Sequence, residues 1–187
     1  MNQEIIEEVK EFVKKECEKP SSSYGSDPFD FHFKSVVKYS REMAEELDAD
    51  KEVVTVAAWL HDIGSIVHGR EDHHLTGKKI AEEKLKELGY DDDKIELVKE
   101  CIENHRSSVD NPRETLEEKI VAEADAMSSF DDIPGLFQAA FVHEGKNRRE
   151  ARKSVKDKLE RKWNQLHFEE SREIIRPKYE AAMKILG

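Results

Sequence analysis

An all-α fold is predicted by three observations: apolar residues recur at helical spacing along nearly the whole chain, no stretch alternates long enough to support a sheet, and helix-boundary residues punctuate the periodic segments. With 187 residues the chain is long enough to bury a sizeable core and short for two full domains. We therefore expect a single domain over 1–187, with no internal repeat and no low-complexity segment.

Ile5, Ile6, Val9, Phe12 and Val13 give a first amphipathic helix over residues 3–18. Lys19-Pro20-Ser21-Ser22-Ser23-Tyr24-Gly25-Ser26 reads as a loop, and Asp27-Pro28 as an N-cap followed by proline at the first helical position. The second helix carries His32 on the same face as Val36, Tyr39, Met43, Ala44 and Leu47, so His32 is expected to point inward. Asp50 caps a third helix that is apolar on nearly all sides and runs straight into His61-Asp62-Ile63-Gly64, where Gly64 should end or bend it.

Ser65 to Asp72 reads as a polar loop, and His73-His74-Leu75-Thr76-Gly77 as the entry to a helix closed by Gly89. Ile95, Val98, Cys101, Ile102 and His105 share one helical face. Thr115-Leu116-Glu117-Glu118 matches a capping box and opens the helix that holds Asp125. The segment 134–187 reads as extensions packed on this core: a short apolar stretch, a basic amphipathic helix from Lys146 to Leu166, and a last helix that Pro177 should kink or interrupt.

Composition narrows the function. The formal net charge of -11 repels a nucleic-acid polymer, whereas a metal ion can reverse the local field and admit a small anion. Cys17 and Cys101, the only cysteines, have no ligand-like spacing, which argues against a disulfide framework or thiolate zinc site. The first residues lack the apolar run of a signal peptide, and no segment reaches the roughly 20 apolar residues of a membrane span. A cytoplasmic protein is expected, and exposed terminal helices allow a homodimer.

His32, His61 with Asp62, His105 and Asp125 are polar where the local pattern asks for apolar residues. Taken singly, each has an ordinary explanation: a hydrogen-bonded core histidine, a capping aspartate, a satisfied buried carboxylate. Together they are harder to dismiss, because a buried carboxylate needs a cation or a full set of donors. One shared metal satisfies them all. A mixed imidazole and carboxylate set suits manganese, iron, cobalt, nickel or zinc, and spacing does not choose among these.

His32, then Leu60-His61-Asp62-Ile63-Gly64, then Ala122-Glu123-Ala124-Asp125 resembles the ordered H…HD…D signature of the HD-domain superfamily of metal-dependent phosphohydrolases. Ala57-Ala58-Trp59-Leu60 before the pair, and Ile102-Glu103-Asn104-His105 ahead of the last aspartate, agree with it, and the resemblance covers roughly residues 27–130. It implies an HD-type helical bundle in which His32, His61, Asp62 and Asp125 hold a first metal. His73 and His105 match positions that bind a second metal or contact phosphate, with His74 competing for the role of His73. Many members of the superfamily carry arginine three residues after the first histidine, where this chain has Ser35. A phosphate contact is then either missing at that position or supplied by Lys34, Lys38, Arg70 or Arg106.

The implied chemistry is metal-assisted attack of water on phosphorus, with Asp62, His73 and His105 as the catalytic candidates and either histidine able to donate to the phosphoryl group or leaving oxygen. The basic stretch Lys146–Lys162 reads first as a solvated helix face, with a sharper reading in which one or two of its cations reach an anionic substrate. His68, His143 and His167 read as surface residues. The expected function is hydrolysis of a small phosphorylated metabolite, with a nucleotide as the expected substrate. The alternative is a non-catalytic, metal-containing module that senses a nucleotide or docks a partner.

Overall fold

The computed structural model describes residues 1–106 and 112–187, and among them contains helices and no strand. Helix α1 (Gln3–Glu18) is followed by α2 (Lys34–Glu46), which a π-helical turn, Phe29–Phe33, precedes without a break. Then come α3 (Lys51–Leu60), α4 (Ile63–His68), α5 (His73–Glu87), α6 (Asp92–Asn104), α7 (Leu116–Ser128) and α8 (Ile133–Gln138). A second π-helical turn, Ala139–His143, leads to α9 (Arg148–Asn164) and α10 (Glu169–Leu186).

Local chemistry sets these boundaries. The Asn2 side chain accepts the Ile5 N–H at 3.3 Å and starts α1, whose buried stripe is Ile5, Ile6, Val9, Val13 and Cys17. The Asp50 carboxylate accepts from the N–H groups of Glu52 and Val53 at 2.9 and 3.1 Å and starts α3. Every residue of α3 from Val53 to Leu60 is buried, because α1, α2, α6 and α7 all pack around it. A helix surrounded on all sides is apolar on all sides, and its C-terminal end therefore opens inside the bundle. Thr115 and Glu118 form the reciprocal capping box of α7. The buried side chains form one cluster from Ile5 to Leu186, so α9 and α10 share the core of the preceding helices.

Four expectations need correction. The helical backbone begins at Asp27, and the Phe29 N–H bonds to the Ser26 carbonyl at 3.1 Å, so the entry to the second helix lies one residue earlier than the Asp27-Pro28 pattern suggests. Residues 63–68 form α4 and are not loop. Gly64 sits inside that helix and does not terminate it: a Cβ there would lie 2.1 Å from the His73 carbonyl oxygen and 2.7 Å from the Gly77 nitrogen. Its role is to let α4 and α5 meet backbone to backbone. Pro177 lies within an unbroken α10. Both Pro177 and Glu173, whose carbonyl loses its helical partner, are exposed, so that carbonyl is open to solvent.

Candidate metal centre

Most of the candidate side chains sit at helix ends that converge near the C-terminus of α3. His61 is the first residue past α3, Asp62 the residue before α4, His73 the first residue of α5 and His105 the first past α6. His32 comes from the π-helical turn and Asp125 from α7. The π turn widens the helix by one residue per turn, a distortion that recurs at functional sites. It presents His32 Nε2 2.9 Å from His61 Nε2.

The hydrogen bonds fix which nitrogen of each ring carries the proton. His61 Nδ1–H donates to the Ala58 carbonyl at 2.8 Å, His73 Nδ1–H to the Arg70 carbonyl at 2.9 Å and His105 Nδ1–H to the Ile102 carbonyl at 2.6 Å. A carbonyl can only accept, so each Nδ1 must be the donor. Ser128 Oγ donates to the Asp125 carbonyl at 2.8 Å and therefore accepts from His32 Nδ1–H at 3.1 Å. In neutral imidazoles this leaves all four Nε2 atoms as lone pairs facing one another. His32 faces His61, and His73 faces His105 at 3.3 Å.

Acceptors do not bond to acceptors, and the carboxylates add more negative charge to the same space. Asp62 Oδ2 lies 3.7 Å from His32 Nε2, while its Oδ1 lies 3.3 Å from His73 Nε2 and 3.8 Å from His105 Nε2. Asp125 Oδ1 lies 3.7 Å from His32 Nε2 and 4.0 Å from His61 Nε2. Among the described residues two groups have ligand atoms close enough to share an ion: His32, His61 and Asp62, and Asp62, His73 and His105. Nitrogen and oxygen lone pairs aimed inward, each imidazole oriented by a second hydrogen bond, are the donor chemistry of a divalent transition-metal site. The residues present fit that group.

Electrostatics point the same way. Burial, then the neighbouring His61, pushes His32 down to about 4, and burial takes His105 down to about 3. Both rings are therefore neutral and able to ligate at neutral pH. Burial alone pushes both carboxyls up. For Asp62 the surrounding imidazoles outweigh that effect, and for Asp125 Lys162 does so first, leaving both acids below the ordinary carboxylate range.

The cluster opens into a cleft of about 710 Å³. Arg70, Arg106, Lys158, Arg161 and Lys162 line it, together with His32, Asp62, His73, His105 and Asp125. Lys162 Nζ lies 2.6 Å from Asp125 Oδ2. Lys158, in the same wall, is pushed down to about 8 by burial, then by Lys162 and Arg70.

Of the cations expected to meet substrate, Arg70 and Arg106 line the cleft, and Lys34 and Lys38 do not. Lys34 pairs with Asp30 at 2.5 Å and lies over the Phe29 ring, and Lys38 lies over Tyr39. Both line a shallow depression on the outer side of α2 instead. Ser35 lies outside the cleft too, donating to Asp131 Oδ2 at 2.5 Å. The other cations of the cleft wall come from α9: Lys158, Arg161 and Lys162 belong to the basic stretch read first as a solvated face. His73 takes the inward position, since His74 turns toward Arg106 instead.

Sequence reasoning also missed Ser128, which orients His32, and Arg113. Its guanidinium donates to the Asn104 carbonyl at 2.8 Å and the His105 carbonyl at 3.3 Å, closing the end of α6 that carries His105. A serine three residues after Asp125, on the same helical face, was the one available signal.

Fold and donor set together define an all-α protein with an inward-facing histidine and aspartate cluster of metal-ligand type. The family model described as "HD domain" matches residues 29–129, and the chain belongs to the HD-domain family. Over its whole length it resembles an HD-superfamily hydrolase from Bacillus thuringiensis at 19% identity, covering 95% of that chain with a TM-score of 0.76. The Lin1889 protein of Listeria innocua is similar over 100% of this chain and 94% of that one, with 21% identity and a TM-score of 0.74. Bacillus subtilis YpgQ, solved in complex with ADP, is 18% identical, with 97% and 93% of the two chains covered and a TM-score of 0.73. In sequence, a tRNA (cytidine(56)-2'-O)-methyltransferase of Picrophilus torridus is 32% identical over 139 residues, 67% of this chain. The match spans 38% of that protein's length. No helix among the described residues is long and apolar enough to cross a membrane.

Proposed function

We propose that this protein is a metal-dependent phosphohydrolase acting on a small phosphorylated metabolite, and that the metabolite is a nucleotide. The observation that carries this reading is the convergence of four Nε2 lone pairs and two ionised carboxylates, all but His61 lining a cleft walled by five cations. The acceptors suit a cation and the basic wall suits an anion, which is the division of labour that phosphoryl transfer requires.

His32, His61, Asp62 and Asp125 would hold the first divalent cation, and Asp62 through its other oxygen, with His73 and His105, a second. Manganese, iron, cobalt, nickel and zinc all suit this donor set. A cation there supplies electrophilic activation of water and of a phosphoryl oxygen. Lys158, Arg161, Lys162 and Arg70 neutralise phosphate charge and hold the ester in the cleft. Arg106 approaches from the α6 side, anchored through its guanidinium to the Glu71 carbonyl at 2.7 Å. Ser65 Oγ donates to Asp62 Oδ1 at 3.0 Å and Ser128 fixes the His32 ring, so the donor set is oriented before any ligand arrives.

A cleft of about 710 Å³ lies within the range that holds a nucleotide-sized ligand. The ADP complex of the structurally similar Bacillus subtilis protein supports the same ligand class. Two buried free cysteines fit a cytoplasmic setting. The reading is tested by metal-stripped protein reloaded separately with manganese, cobalt, nickel and zinc and assayed for phosphate and pyrophosphate release from nucleotides and simple phosphate esters. Release from nucleotides is expected, and its product names the bond. Stoichiometric metal with no turnover on any substrate would instead mark a nucleotide-sensing module.

A further inference from the structure

The metal ligands and cations occupy only part of the cleft. Among its remaining lining residues are Tyr24, Leu136, Gln138, Ala139, His143 and Gln165, an aromatic, apolar and amide set that no phosphate needs. Tyr24 and His143 meet edge to face, with ring centroids 5.9 Å apart and planes at 80°. Both rings remain exposed, Tyr24 at 38%.

The backbone holds this pair in place. Tyr24 belongs to the loop between α1 and the first π-helical turn, whose Ser23 N–H bonds to the Ile66 carbonyl of α4 at 3.1 Å. His143 ends the second π-helical turn, Ala139–His143. The two π turns among the described residues therefore both border the cleft, one delivering His32 and the other His143. Between them runs a chain of charges. Lys162 contacts Asp125, Lys158 lies within electrostatic reach of Lys162 and Arg70, and Arg70 and Lys158 both act on Glu144, the neighbour of His143. The cations thus lead from the metal ligands outward to the aromatic pair.

We infer that Tyr24 and His143 form the subsite for the planar heterocycle of the substrate, with the phosphates running along Lys158, Lys162 and Arg70 to the metal ligands. An aromatic face accepts any base by stacking, and the Gln138 and Gln165 amides offer donors and acceptors to its edge. This inference rests on the phosphohydrolase reading of the same cleft.

The test is calorimetric titration of manganese-loaded protein with ADP and, separately, with inorganic pyrophosphate, for the wild type, Tyr24→Ala, His143→Ala and the double variant. Each single variant is expected to weaken ADP binding roughly ten-fold, the scale of losing one stacked ring. Pyrophosphate binding should stay unchanged, and Tyr24→Phe should bind ADP as the wild type does. Unchanged ADP affinity in the double variant would overturn the subsite. So would equal losses for ADP and pyrophosphate, which would mark the rings as supports of cleft shape. A wild type that binds pyrophosphate and not ADP sinks the subsite alone, whereas one that binds neither sinks the phosphohydrolase reading beneath it.

Discussion

Lys162 Nζ lies 2.6 Å from Asp125 Oδ2, across 37 residues of sequence, and leaves Asp125 Oδ1 facing His32 and His61. The lysine occupies one carboxylate oxygen and so aims the other. Lys162→Ala is therefore expected to weaken first-metal affinity about ten-fold, the lower end of what losing such an orienting partner costs. Titration of stripped protein with manganese checks this, with circular dichroism expected to match the wild type.

Gly64→Ala tests the close approach that places His73 beside Asp62. The added Cβ would meet the His73 carbonyl oxygen at 2.1 Å, a backbone atom that cannot swing away. Overpacking of this kind costs about 1–3 kcal/mol or more, roughly 3–10 °C in melting temperature for a chain of this size. Thermal denaturation of the metal-free variant should show that loss, and the loaded variant should bind its second cation more weakly, because α5 carries His73 away from Asp62.

Lys158 gives the pH dependence. Burial and the neighbouring cations push its ammonium down to about 8, so it loses its charge well before an ordinary lysine would. Substrate anions should then bind tightly at pH values below about 8, where Lys158 is charged, and more weakly above it. KM should rise roughly ten-fold between pH 7 and 9, as one charge-assisted contact is lost. In Lys158→Arg, whose guanidinium stays charged throughout, that alkaline rise should vanish.

Removing the metal should soften the fold. The facing lone pairs of His32 with His61 and of His73 with His105 repel when nothing lies between them. A cation that binds only the folded state at about 100 times its dissociation constant adds about 2.7 kcal/mol. Chelated protein should melt roughly 5–10 °C below the reloaded form, and a coincident melting temperature would argue against metal binding.

Local rules made much of this molecule legible. Residues 3–18, the Asp50 cap and the Thr115 and Glu118 box depend on neighbours in sequence, and the structure has them where those patterns put them. The polar intruders on apolar faces led to His32, His61, Asp62, His105 and Asp125, since burial needs a reason wherever it occurs. Contacts set by tertiary packing were not legible. The role of Gly64 depends on α5, and helix α4 is a six-residue segment too short to show helical periodicity before its neighbours bury it. Lys158 and Lys162 look like solvated cations until α9 lies against α7. Lys34 and Lys38 lie outside the cleft, since nearness to His32 in sequence does not set which side of the helix a side chain occupies.

The most direct test is phosphate and pyrophosphate release from a nucleotide panel by wild type and Asp62→Ala, each stripped and then reloaded with manganese, alongside metal content by elemental analysis. Asp62 offers one oxygen to each histidine pair, so its loss should empty both groups. Turnover by the reloaded wild type alone, together with metal missing from the variant, is the predicted result. Equal turnover in stripped and reloaded wild type, or full metal content and activity in Asp62→Ala, would contradict the assignment of this cluster as a metal-dependent hydrolytic centre.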